Sequence, residues 1–419
     1  MNNKGGKRDG SGRKSIQGKE VKVKIPYETI DKIEESFCGN SLSERIRESI
    51  DNSLLNVNHS HKFRVIDLFS GCGGISEGFA MNNRMDIVGA IDFNKEACIT
   101  YRYNFPYAHV INGDITQLSV EDSKFRDVDI IVGGPPCQGF SALNRHQKLE
   151  DDPRNKLFFE FLRFVKELRP KAIVIENVKQ ILTKNDGFAR KNICSILEEI
   201  GYNVDYRVLN ASDYGVPQNR ERAVFVGIRN DIGSIKFDNI DKFKVKKKTT
   251  VKEALEDLYS LEYRIPRNPD DFYVLDTPVS NEYLQIMRND SNYIFNHKIQ
   301  YQNEEVQKRV SYVPQGGNWK DVPPELFPSQ RDNRHSNYLR RFDENGQSTT
   351  IDTGHDVYYH PLYNRCPTVR ESARLQSFPD RFIFIGSKKE QLRQVGNAVP
   401  PLMAFAISRM ILEVLENGE

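Results

Sequence analysis

The chain has 419 residues, of which 38% are hydrophobic and 28% are charged. These values are ordinary for a globular protein, and the length suggests two or three domains. The six cysteines form no C-x-x-C pair, which argues against a zinc site or a disulfide framework. No apolar run approaches the ~20 residues of a membrane span, and the N-terminus has no apolar leader segment. We therefore expect a protein of a reducing cytosol, with no metal and no membrane contact.

The formal net charge is only +2, but basic residues are concentrated at the N-terminus. Residues 1–24 contain eight basic and two acidic residues, and residues 1–20 have the composition of a disordered basic tail. Two interpretations stay open for this segment. It is either a solvated tail or an arm that attracts a polyanion.

Residues 21–58 follow the tail with a strand–helix–helix pattern. Val21–Ile25 alternates apolar and basic side chains, so Lys22 and Lys24 would share one face of a short strand. The unit resembles the ribbon-helix-helix DNA-binding fold, in which two copies of the strand form the ribbon that enters the major groove. This resemblance implies DNA contacts from Lys22 and Lys24 and a homodimer. A helical hairpin packed on the main domain is an equal alternative.

Residues 62–229 alternate predicted strands with predicted helices. The strands are short and rich in Val and Ile, as in a sheet buried on both faces. They are Arg64–Phe69, Asp86–Ile91, a weaker Ala108–Ile111, Val128–Val132 and Ala172–Ile175. The helices are Ile75–Asn82, Lys95–Asn104, Leu157–Leu168 and Arg190–Ile200. This alternation predicts an α/β fold with a doubly wound, mostly parallel sheet, closed by an antiparallel pair formed by Val204–Leu209 and Arg222–Ile228.

Residues 230–365 are polar and irregular, and they predict a smaller domain without strong periodicity. Helical periodicity returns at Thr368–Ser377 and Leu402–Leu415. Residues 366–419 are therefore predicted to return to the first domain.

A glycine-rich segment, Asp67–Gly74, lies at the end of the first predicted strand and before a predicted helix. Its glycines, Gly71, Gly73 and Gly74, would let a ligand approach the backbone at a helix N-terminus. Ser76 stands where a dinucleotide-binding motif has its third glycine.

Acidic residues end the next two predicted strands. Asp92 is placed to hold ribose hydroxyls, and Asp114 to accept from an adenine amine. The alternative for each acid alone is a helix N-cap. Together with the glycine segment, these residues predict a ligand that contains adenosine but no pyrophosphate.

Two further strand ends carry reactive side chains. Gly133–Ser141 places Cys137 between a rigid Pro-Pro pair and a glycine, which favours an exposed thiol that acts as a nucleophile over a buried structural one. Glu176 ends the strand Ala172–Ile175 and would point to the same edge as Cys137.

Six segments, in this order, resemble the motifs of the cytosine-5 DNA methyltransferase family. They are Asp67–Phe79, Gly133–Ser141, Glu176–Val178, Gln218–Arg222, Arg370–Asp380 and Gln394–Pro400. The resemblance covers roughly residues 62–229 and 366–419, and residues 230–365 occupy the place of the family's target-recognition domain. Candidate contacts to bases or phosphates there include Arg331, Arg334, His335, Arg340 and Arg341.

The resemblance implies a reaction and a role for each site residue. The reaction is transfer of a methyl group from S-adenosylmethionine to carbon 5 of a flipped-out cytosine in double-stranded DNA. Cys137 would attack carbon 6, Glu176 would bind N3 and the exocyclic amine, and Arg222 would contact the base near O2. The implied cofactor-binding residues are Phe69, Gly71, Gly73, Gly74, Asp92, Asp114, Pro136 and Asn397, of which Asn397 would also brace the catalytic loop. The implied DNA-binding residues are Gln138, Ser141 and Arg220, in addition to Lys22 and Lys24.

Other functions stay open at this level. The main alternative is methylation of tRNA cytosine by the related RNA-directed branch of the family. Gly139 after Gln138 and the large recognition segment argue against that branch. A sequence-specific regulator that uses residues 1–55 is a second alternative, and it is compatible with catalysis. A nicotinamide dehydrogenase is a remote third, disfavoured by the glycine spacing. The resemblance also suggests a restriction-modification system with a partner endonuclease, and so a location in the bacterial cytoplasm or nucleoid.

Overall fold

A computed structural model describes residues 62–136, 155–262, 272–289, 291–329, 334–335, 337–353 and 358–417. The predicted N-terminal unit, with Lys22 and Lys24, lies outside these residues. The same holds for three predicted site residues, Cys137, Gln138 and Ser141. The roles assigned to these positions therefore stay predictions.

The main sheet of the described chain has seven strands. They are β1 (Phe63–Leu68), β2 (Met85–Asp92), β3 (His109–Asn112), β4 (Ile130–Gly133), β5 (Ala172–Val178), β6 (Tyr202–Asn210) and β7 (Glu221–Arg229). Their order across the sheet is β3-β2-β1-β4-β5-β7-β6. The first five strands in this order are parallel, and β7 pairs antiparallel with both β5 and β6. The predicted doubly wound, mostly parallel sheet is confirmed, together with the antiparallel pair at its edge.

Helices cover both faces of this sheet. The helices of the described chain are α1 (Gly74–Ala80), α2 (Lys95–Asn104), α3 (Lys156–Leu168), α4 (Lys184–Glu199), α5 (Val251–Leu255), α6 (Glu282–Met287), α7 (Glu304–Ser311), α8 (Val369–Leu375), α9 (Lys388–Asn397) and α10 (Pro401–Asn417). In β1, Phe63 and Val65 pack in a core with α1, α2 and α10. Ile66 and Leu68 face the opposite core with α3 and α4. Burial on both faces explains why the strands are continuous apolar runs.

Glycines bring the C-terminal segment against α1. A Cβ on Gly74 would lie 2.4 Å from the carbonyl oxygen of Val399, and one on Gly78 would lie 2.3 Å from that of Pro401. A side chain at either position would push the two segments apart. This close approach holds the start of α10 against α1.

Lys388–Asn417 is long and apolar enough to cross a membrane by composition alone, and about two thirds of its most apolar window is buried. Within it, α9 ends at Asn397 and α10 begins at Pro401. Ten residues of α10, among them Met403, Ile407 and Ile411, are buried. Their apolar character is accounted for by packing in the core with α1.

The described part of residues 230–365 consists of short elements. Two two-stranded sheets pair β8 (Tyr273–Val274) with β9 (Tyr293–Ile294), and β10 (Arg340–Arg341) with β11 (Tyr358–Tyr359). A separate small core contains Val310, Val313, Val322, Leu339 and Tyr359.

Arg341, one of the candidate DNA contacts, is 5% exposed in this region. Its guanidinium donates to the backbone carbonyls of Val313 and Val310, each at 2.7 Å. Arg341 therefore holds the small core together and is not displayed on the surface.

Two buried arginines join this region to the C-terminal segment. Arg365 lies between Glu262 and Glu371, and Arg374 lies between Asp257 and Asp380. The side chains of these residues are at most 3% exposed. Removal of one partner from such a cluster would leave an uncompensated charge in the core.

Candidate active site

The carboxyl ends of β1, β2, β4 and β5 meet at one edge of the sheet, because these strands are parallel. Two adjoining cavities lie at that edge, with volumes of about 470 and 720 Å³. We call the smaller one the Asp92 cavity and the larger one the Arg222 cavity, after a residue that lines each. Gly134, Pro136, Glu176 and Asn397 line both. Ligands bound in the two cavities would therefore meet at a shared wall.

The Asp92 cavity is walled by the turn between β1 and α1 and by the end of β2. Phe69, Gly71 and Gly74 come from the turn, and Asp92 and Phe93 from the strand end. The backbone N–H of Gly71 donates to Oδ2 of Asp92 at 2.8 Å. The N–H of Asn94 donates to Oδ1 at 2.7 Å. These contacts fix the carboxylate in the cavity wall, and each of its oxygens keeps a lone pair for a ligand.

Burial also raises the pKa values of two acidic residues in this cavity. It raises the pKa of Asp92, although the two backbone donors and Arg393 oppose the change. Burial raises the pKa of Asp67 to about 7. One oxygen of Asp67 accepts from the hydroxyl of Ser76 at 2.7 Å. The other, Oδ1, is buried without a hydrogen-bond partner.

Two predicted cofactor residues are absent from the described lining of the Asp92 cavity. Gly73 is the N-cap of α1, with a left-handed φ of 101°. Asp114 is exposed and caps a short 3-10 helix, where its Oδ1 accepts from the N–H of Thr116 at 2.9 Å. This backbone hydrogen bond lowers the pKa of Asp114. The helix cap was the alternative interpretation of Asp114, and its contact with an adenine amine stays a prediction.

The Arg222 cavity contains an ion pair across two antiparallel strands. Glu176 lies near the end of β5, and Arg222 lies near the start of β7. The Nε of Arg222 lies 2.9 Å from Oε1 of Glu176, and the two side chains are 17% and 16% exposed. Burial raises the pKa of Glu176, and Arg222 and Arg220 only partly oppose this change. The carboxyl group is therefore easier to protonate than an exposed glutamate.

The segment that leads to Cys137 is tied to the same strand end. The side-chain amide of Asn177 donates to the carbonyl oxygen of Pro135 at 3.0 Å. Pro136, which directly precedes Cys137 in the sequence, lines both cavities. The hydrogen bond therefore holds Pro135 next to the end of β5.

Arg220, predicted to contact DNA, has its partners inside the protein. It is 2% exposed. Its guanidinium donates to the carbonyl oxygens of Ile351 and Gly396, both at 2.9 Å. Burial, and then the charge of Arg222, lower its pKa to about 9. In the described structure Arg220 joins two segments that line the Arg222 cavity, so its DNA contact stays an untested prediction.

Three other cysteines of the described chain are poor candidates for a nucleophile. Burial raises the pKa of the thiols of Cys72, Cys98 and Cys194, in the last two to about 11. A thiol with a raised pKa forms little of the reactive thiolate at neutral pH.

The structure adds lining residues that the sequence reasoning missed. Phe93 is 79% exposed in the wall of the Asp92 cavity, and Arg393 lines the same cavity. An aromatic residue directly after a strand-ending acid is a signal that would have identified Phe93. Lys184 and Asp352 line the Arg222 cavity, and no local pattern in the sequence distinguishes them.

The strand order, with β7 antiparallel between β5 and β6, is that of a Rossmann-like fold of the methyltransferase type. The chain resembles a crystal structure described as a DNA modification methyltransferase encoded within a prophage of Escherichia coli. The TM-score is 0.68 at 28% identity, over 85% of this chain and all of that one. Dnmt2 of S. pombe, at 20% identity and a TM-score of 0.53, shares the fold.

A family model described as C-5 cytosine-specific DNA methylase matches residues 63–413. Type II methyltransferase M1.HphI of Haemophilus parahaemolyticus is 37% identical over 357 residues, which cover 84% of this chain and 87% of that protein. Type II methyltransferase M.DdeI of Desulfomicrobium norvegicum is 38% identical over 379 residues, with coverages of 84% and 89%. The chain belongs to the C-5 cytosine-specific DNA methylase family, and the predicted family and fold class are confirmed.

Proposed function

We propose that this protein transfers the methyl group of S-adenosylmethionine to carbon 5 of a cytosine flipped out of duplex DNA. The observation that carries the proposal is the wall shared by the two cavities, to which Pro136 and Glu176 both contribute. A methyl donor in the Asp92 cavity and a base in the Arg222 cavity would meet there. Membership of the methylase family supports the same reaction.

The Asp92 cavity fits S-adenosylmethionine, which supplies an electrophilic methyl group when bound. Asp92 would accept from the ribose hydroxyls, and Phe69 and Phe93 offer apolar faces for the adenine. Gly71 leaves open space, since a Cβ there would have no neighbour within 4 Å. The unpartnered oxygen of Asp67 is an acceptor of the kind that a ligand donor satisfies.

In the Arg222 cavity, Glu176 would hold the cytosine. N3 of a neutral cytosine accepts a hydrogen bond and its exocyclic amine donates one, so a protonated carboxyl group can satisfy both atoms. The raised pKa of Glu176 favours that protonated form. The same proton would stabilise the charge that develops on the ring during attack. Arg222 orients the carboxyl group through Oε1 and would contact the base near O2.

Cys137 would supply the nucleophile. Its thiolate would add to carbon 6 of the ring, which makes carbon 5 electron-rich enough to accept the methyl group. Loss of the proton on carbon 5 and cleavage of the bond to sulfur would then restore the aromatic ring. Attack on carbon 6 requires access to the face of the ring, so the base must leave the duplex, at a cost of a few kcal/mol.

The biological setting is part of the proposal. The relatives M1.HphI and M.DdeI are Type II methyltransferases, which supports action at a specific DNA sequence in a bacterial restriction-modification system. Residues 230–365 would read that sequence, and a partner endonuclease would act on it. Residues 21–58 would bind DNA as a homodimer and regulate transcription. These activities belong in the bacterial cytoplasm.

Bisulfite sequencing of DNA from a host that expresses the protein tests the activity and its sequence context together. We expect 5-methylcytosine at one recurrent sequence. Tritiated methyl transfer by the purified protein to duplex DNA and to tRNA, assayed side by side, should label the DNA. Labelling of tRNA alone would contradict the proposal and support the RNA-directed alternative.

The nucleophile is tested with a duplex that carries 5-fluorocytosine at the methylated position. We expect the wild-type protein to form a covalent complex in the presence of S-adenosylmethionine and Cys137→Ala to form none. Cys194→Ala is the control and should form as much complex as the wild type, because the raised pKa of the Cys194 thiol makes it a poor nucleophile. Cofactor binding by Cys137→Ala, measured by calorimetry, should match the wild type. An undiminished complex with Cys137→Ala would refute the assignment.

A further inference from the structure

The Arg222 cavity contains a lysine whose charge has no partner in the described part of the chain. Its cationic lining residues are Arg220, Arg222 and Lys184. Arg220 donates to two backbone carbonyls, and Arg222 pairs with Glu176. Lys184 is exposed, and among the described residues it forms neither a hydrogen bond nor an ion pair.

The residues before and after Lys184 in the chain hold its backbone in place at the cavity wall. Ile181 and Leu182, just before it, are buried at 5% and 8% exposure. The three residues 185–187, just after it, are all left-handed, with φ values of 51°, 55° and 72°. A Cβ on Gly187 would lie 3.1 Å from the carbonyl oxygen of Leu182. The end of the turn therefore packs closely against its beginning. The lysine is therefore presented from an anchored turn and not from a free loop end.

The acidic residues of the cavity are already engaged. Glu176 pairs with Arg222, and Asp352 accepts from the hydroxyl of Tyr358 at 2.8 Å. The charge of Lys184 is consequently available to a group that enters from outside. In a DNA methylase, such a group is brought by the substrate.

The size of the cavity indicates which group that is. A volume of about 720 Å³ far exceeds a single pyrimidine ring. A nucleotide that leaves the duplex brings its sugar and two flanking phosphates with it. A lysine ammonium is a compact charge that binds phosphate oxygens, and such contacts fix the position of the DNA.

We propose that Lys184 binds a backbone phosphate beside the target cytosine and so positions the flipped nucleotide in the Arg222 cavity. The inference rests on the proposed function, because it requires DNA at this cavity. Lys184 is a positioning residue: it contacts the backbone, and Glu176 and Cys137 act on the ring. Because a phosphate contact carries no sequence information, its loss weakens binding without changing the recognised sequence.

The test compares Lys184→Gln with Lys191→Gln in the full chain. Lys191 is an exposed lysine on the same helix, α4, and lies outside the lining of the Arg222 cavity. The probe is a duplex oligonucleotide that contains the sequence found by bisulfite sequencing, titrated with S-adenosylhomocysteine present. We expect the Kd of Lys184→Gln to rise about 3- to 10-fold at about 100 mM salt, as for loss of one charge-assisted contact.

The salt dependence separates a phosphate contact from a structural effect. One lost phosphate contact lowers the slope of log K against log salt by about 0.9. We expect this change in Lys184→Gln, no change in Lys191→Gln, and recovery of the slope in Lys184→Arg. Methylation by Lys184→Gln should show a raised KM for DNA and a smaller change in kcat, at the same sequence as the wild type.

Two outcomes would overturn the inference while the proposed function stands. One is a wild-type slope and Kd in Lys184→Gln. The other is weaker binding with an unchanged slope, accompanied by weaker binding of S-adenosylhomocysteine, which would indicate a structural role. Failure of the proposed function itself would be visible earlier, because the wild-type protein would then methylate no DNA.

Discussion

Glu176→Gln is expected to lower the rate of methyl transfer by about 10²- to 10³-fold, which corresponds to roughly 2.7–4 kcal/mol in the activation free energy. This is the usual effect of losing one preorganised group that stabilises charge in the transition state. The amide keeps the size of the side chain, and its oxygen can still accept from Arg222. It cannot give a proton to N3 of the cytosine. At 16% exposure, water cannot readily replace the lost interaction. Binding of the cofactor should change little, because Glu176 contributes only one wall of the Asp92 cavity.

The raised pKa of Glu176 also predicts the direction in which the methylation rate changes with pH. Burial raises the pKa of Glu176, so its protonated fraction is larger than for an exposed glutamate and falls as the pH rises through the raised value. A single-turnover rate that needs the protonated form must fall in the same direction. We therefore expect the wild-type rate to decline on the high-pH side of this titration, and Glu176→Gln to lack that decline.

The assay is single-turnover transfer of a tritiated methyl group to duplex DNA across a pH series. Glu221→Gln is the matched control, since Glu221 lies next to Arg222 in the chain but is 46% exposed and pairs with Lys179. We expect its rate to stay within about 2-fold of the wild type, as for exposed ion pairs. A Glu176→Gln rate as high as that of the control, with the wild-type pH profile, would refute the reasoning.

Three further changes test the cofactor site and the packing. Asp92→Asn should raise the Kd of S-adenosylmethionine about 10-fold through loss of charge-assisted hydrogen bonds, measured by calorimetry, whereas Asp86→Asn at the exposed start of β2 should not. Arg365→Met leaves two buried carboxylates without their cation and should lower the free energy of unfolding by about 3–5 kcal/mol, measured with urea. Gly78→Ala forces α1 away from the carbonyl oxygen of Pro401 and should lower the free energy of unfolding by about 1–3 kcal/mol in the same assay. Gly346→Ala is the control, because its new Cβ has its nearest neighbour at 3.9 Å, and it should lower that free energy by less than about 1 kcal/mol. Unchanged stability in Gly78→Ala would mean that the helices separate without penalty.

Local patterns predicted the regular elements well. The helix predicted at Lys95–Asn104 has the same bounds in the structure, and the four parallel strands with strong apolar runs are all present. The start of α4 differs most from the prediction, because this helix begins at Lys184 and not at Arg190. The added turn contains three left-handed residues, and helical periodicity does not extend through such a turn.

The order of the strand-end motifs also predicted which residues share an edge. Asp92, Pro136 and Glu176 come from separate strand ends, and parallel strands bring those ends together. Hydrophobic periodicity and glycine spacing depend on neighbours in the chain, and the sequence records them directly. For this reason the fold and the family followed from the sequence by itself.

Only the tertiary structure decided what each polar side chain contacts. Arg220 and Arg341 have the charge of DNA-binding residues, yet both are buried and donate to backbone carbonyls. Arg365 donates to Glu262, which lies 103 residues away in the chain. Asp114 is a helix cap outside the described lining of the Asp92 cavity. A side chain's role depends on partners and burial that are set by distant segments, and no local pattern in the sequence encodes those.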